Sequence, residues 1–321
     1  MNHIFNRKIY IGFLMLIAIL SFFFTLNQLE KLFPNLFLYV CCFIITLVVS
    51  KETDEMFTLS QIYFKIIPRK ITWFIKIFCI MIFFYFVVFL IKSLNENLNL
   101  LTNKNLSNNF FNFLIKVYEN KYFSFFLLFC WFLLLILFLF VNSFRTYHLQ
   151  LTLLTILYII FSNSCFLSLI ILSYNWFIYI FFITICNDSF AFFGGNFFKG
   201  PLLCPQISPK KTWAGFFCGV FITSMIAIIY YLYSNKQYLN NNNYGLIFIS
   251  FVLMSSIITQ LGDLIISKFK RDSNIKDFNN LFPQHGGLLD RLDSLLLLSF
   301  FIVLVLLIPS SYAKAILSII N

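Results

Sequence analysis

Long apolar runs alternate with short polar loops along most of the chain. Runs at 9 to 29, 34 to 50, 71 to 92, 121 to 142, 149 to 172, 175 to 190, 213 to 233, 244 to 266 and 294 to 313 are long enough, or nearly so, to cross about 30 Å of hydrocarbon as helices. The pattern predicts nine helices in an all-α, polytopic integral membrane protein. The run 106 to 117 is too short and too rich in Asn and Lys to span, which makes it interfacial. Arg7 and Lys8 precede the first run in the manner of a signal peptide, but no small-residue cleavage site ends that run, so it reads as a retained span. K-E-T-D-E at 51 to 55 reads as a solvated charge cluster.

Composition sharpens this picture. The chain of 321 residues is 60% hydrophobic, 21% aromatic and only 11% charged, as expected of a membrane protein. Its eight cysteines show no C-x-x-C spacing and mostly fall in apolar runs, where thiols pack as small hydrophobes. The net charge of +11 lies in short loops, which points to anionic headgroups and phosphates rather than nucleic acid. Counting Lys and Arg on alternate faces gives fifteen on the side of the N-terminus against seven on the other, with Lys76 inside the third span and expected to snorkel. That bias predicts a cytosolic N-terminus and cytosolic motif loops. Chemistry concentrates late in the chain, so residues 1–120 read as N-terminal transmembrane helices with a polar loop, and 121–321 as the region carrying the motifs. All five Glu and Asp54 precede residue 120, while the other six Asp lie from Asp188, near the end of the sixth run, onward; short carboxylates suit a hard cation such as Mg2+.

Four motifs stand out. C-N-D-S at 186 to 189 places Asn187 and Asp188 where the sixth run ends, at a cytosolic helix terminus. I-S-P-K-K-T-W at 207 to 213 sets Ser208, Lys210 and Lys211 just before the seventh span; Pro209 shapes the turn, Thr212 is a candidate cap, and the helix N-terminus favours an anion. L-G-D-L at 261 to 264 puts Asp263 near the end of an apolar helix, with Gly262 leaving room for a close neighbour. H-G-G-L-L-D-R-L-D at 285 to 293 ends in Asp290 and Asp293, three apart and on one helix face. With Asp263 these carboxylates suit a divalent metal held against a triphosphate, while lysines neutralise the remaining charge. His285 serves equally well for a structural hydrogen bond or a proton transfer.

The stretch Ser267, Phe269, Lys270, Arg271, Lys276, Asp277, Phe282, Pro283, His285, Gly286, Gly287, Asp290, Arg291 and Asp293, preceded by N-D-S-F-A-F, S-P-K-K-T-W and G-D-L, resembles the phosphatidate cytidylyltransferases, or CDP-diacylglycerol synthases. The resemblance covers roughly 175 to 295. It implies transfer of a cytidylyl group from CTP to phosphatidic acid, giving CDP-diacylglycerol and pyrophosphate. It assigns catalysis to Asp263, Asp290, Lys211 and Asp293, with metal on Asp263 and Asp290. Substrate contacts fall to Lys210, Ser208, Asn187, Asp188, Lys270, Arg271, Lys276, His285 and Arg291. The implied cofactors are Mg2+, with K+ as a second ion by family analogy, and the partners are CTP, phosphatidic acid and membrane lipids; a homodimer is left open. I-K-D-F and Y-N-W-F look closer to the eukaryotic branch, which would imply an endoplasmic reticulum membrane. The chain departs from the family at Ala214, where Glu is usual, and at Phe192, Asn279 and Gln284.

Three other readings stay open. A transporter would carry charge at several mid-membrane positions, whereas the aspartates gather at helix ends. A CTP-dependent kinase of polyprenol or dolichol would share the nucleotide site without the full signature through Asp293. A non-catalytic relative would be marked by Ala214.

Overall fold

The computed structural model of the chain describes residues 36–63, 69–98, 116, 121–140, 146–234, 242–279, 286–308 and 311–320. The expected span at 9 to 29, most of the run 106 to 117, and Phe282, Pro283, Gln284 and His285 lie outside the described residues. The described elements are α1 (Leu36–Tyr63), α2 (Arg69–Leu98), α3 (Lys121–Phe140), α4 (Thr146–Leu172), α5 (Tyr174–Phe198), β1 (Leu202–Cys204), β2 (Ser208–Thr212), α6 (Trp213–Ser234), α7 (Asn242–Asp272), α8 (Leu289–Leu307) and α9 (Ser311–Ile320). Among the described residues five stretches are long and apolar enough to cross a membrane: Ile71–Leu94, Thr146–Leu172, Tyr174–Phe198, Trp213–Tyr230 and Gly245–Asp272. The protein is an all-α membrane protein whose described strands form one antiparallel hairpin.

In lipid, helices associate through close packing and internal hydrogen bonds rather than through escape from water. The contacts follow that rule. Trp176 and Tyr179 of α5 and Phe251 of α7 are fully or almost fully buried, and Tyr179 both stacks on Phe251 and donates to Ser255 Oγ at 3.0 Å. Helix α5 lies along α6 and α7, α7 lies along α8, and α4 packs against both α2 and α8. Within α4, residues Thr155–Ile160 form a π-helical turn, a feature that recurs near functional sites.

Glycines set the α5–α6 crossing. G-F-F-C-G at 215 to 219 presents two small residues one turn apart, and a Cβ at Gly215 would sit 2.5 Å from the Ala191 carbonyl oxygen. Backbone cannot retreat cheaply, so Gly215→Ala is expected to destabilise the protein by about 1–3 kcal/mol, read as a lower thermal midpoint in detergent. An unchanged midpoint would mean that this crossing is looser than the structure shows.

Two expectations are corrected here. Helix α1 runs on past residue 50, and K-E-T-D-E is solvated only in part: Lys51 is exposed and the Asp54 side chain half-open, but Glu52, Thr53 and Glu55 are at most 1% exposed. The reason is tertiary. Asn163 of α4 donates to Glu52 Oε2 at 2.6 Å, and Asp54 forms an ion pair with Lys76. Lys76, expected to snorkel, is held by that pair and lies over the Trp73 ring, 5.5 Å from its centroid. The second correction concerns C-N-D-S, which does not end its helix. Helix α5 continues to Phe198, where Lys199 takes a left-handed conformation (φ 45°) and donates to Gly195 O.

Candidate active site

The hairpin between α5 and α6 carries the lysine pair. Leu202 faces Thr212, and Cys204 faces Ser208. Because side chains alternate across a strand, the two lysines diverge. Lys210 is exposed, whereas Lys211 turns inward to Asp263 of α7, Nζ to Oδ2 2.6 Å. Thr212 Oγ1 accepts from Gly215 N at 3.1 Å, the cap expected at the start of α6. Arg271 fastens the hairpin to the end of α7 by donating from Nε to Ile207 O and from Nη1 to Ile275 O, each at 3.1 Å. The P-K-K segment is therefore a braced strand.

The carboxylates come from three helices. Gly262 permits a tight approach of α7 to α8: a Cβ there would lie 2.8 Å from Asp293 O and 3.0 Å from Ser294 Cα. That contact sets Asp263 beside Asp293. Asp263 accepts from Ser267 Oγ at 3.2 Å as well as from Lys211, and its side chain keeps 31% exposure. Asp293 is buried and accepts from Ser294 N at 2.7 Å. The charges of Asp263 and Asp188 both act on Asp293, and those of Asp263, Lys211 and Arg291 act on Asp188. Asp290 sits one turn before Asp293 and is closed in. Its Oδ1 accepts from Lys270 Nζ at 2.7 Å, and its Oδ2 accepts from Gly287 N at 2.9 Å and Phe278 N at 3.1 Å. Lys270, buried and paired with Asp290, also acts electrostatically on Asp263. Lys270 is thus bonded to Asp290 and reaches Asp263 through its charge alone.

The other candidates divide. Asn187 is fully buried, donates to Ser256 O at 2.6 Å and to Thr259 Oγ1, and accepts from Gln260 Nε2 at 2.9 Å; its amide joins α5 to α7. Asp188, the next residue, is exposed on the side that faces Lys211 and Asp263 electrostatically. Ser208 lies in the hairpin pairing, and Lys276 and Arg291 are exposed. Ala214 packs where a Cβ at Gly200 would meet its methyl at 3.2 Å.

Sequence reasoning missed the residues that reach this centre from the first half of the chain. Glu55 accepts from Leu288 N and Leu289 N, each at 2.8 Å. Burial raises its carboxyl above the usual range, opposed by those two N–H groups. Tyr158, on the π-helical turn, has a buried hydroxyl with no hydrogen-bond partner among the described residues, and it feels the charges of Asp293, Glu52 and Asp263. The signal available for Glu55 was charge density: three carboxylates within four residues directly beyond an apolar run ask for partners near membrane depth.

The donor set suits a hard cation. Asp188, Asp263, Asp290 and Asp293 outnumber the two inward lysines, Lys211 and Lys270. Asp263 accepts two hydrogen bonds and Asp290 three, fewer than the roughly four sites a carboxylate offers. Among the described residues no three His, Cys, Asp or Glu side chains gather into a ready-made cage, but Mg2+ typically takes one or two carboxylates and completes its shell with water and phosphate.

Residues 6–308 match the family model described as "Cytidylyltransferase family". The protein named phosphatidate cytidylyltransferase in Rickettsia conorii is 42% identical over 127 residues, 38% of this chain and 54% of that protein. Those of the same name in Haemophilus influenzae and Chlamydia muridarum are 40% identical over 119 residues (37% of this chain, 41% of that protein) and 35% over 136 residues (42% and 44%). The chain spans about half the length of the curated relatives it matches.

Proposed function

The chain belongs to the cytidylyltransferase family, and we propose that it transfers the cytidylyl group of CTP to phosphatidic acid, releasing pyrophosphate and forming CDP-diacylglycerol. The observation that carries this reading is the pairing of Lys211, on a braced strand, with Asp263, on a membrane helix, at 2.6 Å. A phosphate-neutralising group and a metal-competent carboxylate thus meet where the hairpin packs on the last turns of α7.

The reaction forms a bond from a phosphatidate oxygen to the α-phosphorus of CTP and breaks the bond from that phosphorus to the β-bridging oxygen. The protein's part is positioning and charge. Lys211 neutralises the triphosphate at Asp263, Lys210 on the opposite, exposed face of the strand adds only its charge at longer range, and Lys270 holds Asp290 in place. Asp263 and Asp290 would hold Mg2+, with Asp293 and Asp188 supporting the charge balance and K+ as a second ion. A bound Mg2+ supplies Lewis-acid neutralisation of phosphate oxygens. Exposed Phe192, Phe193, Phe197 and Phe198 of α5 offer an apolar surface to a lipid acceptor beside the hairpin, which we assign to the cytosolic side. In a eukaryotic cell the host membrane would be the endoplasmic reticulum.

The test uses purified full-length protein with Mg2+ and CTP labelled at either the α- or the γ-phosphate. Label from the α position alone should enter chloroform-soluble lipid, and only with phosphatidic acid. Label from the γ position entering a polyprenol would establish a kinase instead. Lys211→Met should lower the transfer rate by roughly 10²-fold or more, the cost of removing one preorganised charge from such a site. Transfer at the parent rate would remove Lys211 from the reading.

A further inference from the structure

Two carboxylates, one local and one remote, grip the same turn. The first N–H groups of a helix have no partner within it, and Leu288, at the start of α8, offers no side-chain cap. Asp290 takes Gly287 N from within the turn. Glu55, 1% exposed on α1 and more than two hundred residues away in sequence, takes Leu288 N and Leu289 N with one oxygen each. The carboxylates also explain both glycines. A Cβ at Gly286, whose φ is +80°, would meet Asp290 Oδ2 at 2.8 Å, and one at Gly287 would meet the Glu55 oxygens at 2.5 and 2.6 Å.

We propose that Glu55 is a positioning residue for the transfer reaction, clamping the Gly286–Asp290 turn so that the Asp290 carboxylate stays seated on Lys270. Its catalytic consequence rests on the function proposed above; the clamp itself does not. A helix N-terminus is a ready anion site, and here an internal carboxylate fills it. The triphosphate is thereby left to the lysines, and the N-terminal half of the chain becomes part of the reaction centre. Displacement of a reacting group by about 1 Å can cost about 10²-fold in rate, so loss of the clamp acts on turnover more than on nucleotide affinity.

The experiment compares the full-length parent with Glu55→Gln and Glu55→Ala. Glutamine keeps the size but turns an N–H2 against one of the two backbone donors; it is the variant to rely on if alanine prevents folding. Amide hydrogen exchange should quicken not only at Leu288 and Leu289 but also at Gly287 and Phe278, the amides that Asp290 holds. The kcat per folded enzyme should fall about 10–100-fold, with KM for CTP within about twofold. Faster exchange confined to Leu288 and Leu289, with parental kcat, would overturn the proposal. If the parent transfers nothing from CTP, the proposed reaction fails, yet exchange at Phe278 and Gly287 still decides whether Glu55 acts on Asp290.

Discussion

Asp263→Ala should lower transfer from CTP to phosphatidic acid by about 10³-fold or more while leaving the thermal midpoint close to that of the parent. A cation held by this carboxylate would contribute several kcal/mol of charge stabilisation at a phosphoryl centre, and each 1.36 kcal/mol is a factor of ten. Stability responds differently because the Lys211–Asp263 pair is partly open, with side-chain exposures of 24% and 31%. Solvent screens such a pair, which holds it to about 0–1 kcal/mol. Asp263→Asn keeps an acceptor for Ser267 and should be as inactive as Ala, since charge rather than shape is what the substitution removes. The assay is turnover per folded enzyme, with thermal unfolding in the same detergent. Near-parental turnover in either variant would take Asp263 out of the reaction centre; activity lost only in step with the midpoint would make it a structural residue.

The motifs that make this prediction possible were readable because each is local. Asp290 and Asp293 share a face by helical spacing, Thr212 caps the helix it precedes, and Gly262 allows the close approach that its lack of a side chain permits. What escaped reading depends on partners far away in the chain. K-E-T-D-E looked solvated because five polar residues in a row resemble a loop, yet Asn163 lies 111 residues on and the Leu288 amide 233 residues on. Helix α5 was cut short for a related reason. C-N-D-S at 186 to 189 reads as a polar helix terminus, but Asn187 is buried, donating to Ser256 O and accepting from Gln260 Nε2 of α7, so the helix runs on to Phe198. Lys210 and Lys211 are adjacent in sequence, and only strand alternation shows that one of them alone, Lys211, turns to Asp263.

Asp290→Ala is expected to cost stability as well as activity, which separates it from Asp263. The Lys270–Asp290 pair is closed, at 11% and 5% side-chain exposure, and the carboxylate also satisfies the amides of Gly287 and Phe278. Removing it strands a buried ammonium and two backbone donors at once. Breaking one partner of a buried pair costs about 3–5 kcal/mol, enough to lower the thermal midpoint by several degrees. Asp290→Asn should fall between the two, because a carboxamide can accept from the amides or face Lys270 suitably, but not both, and its turnover should be as low as that of Ala. The decisive variant is Lys270→Met combined with Asp290→Ala. With no charge left to strand, the midpoint should recover part of the loss, while transfer from CTP stays abolished. If the double substitution is no more stable than Asp290→Ala alone, the two side chains do not form the buried pair; if it regains transfer activity, Asp290 serves the fold and not the reaction.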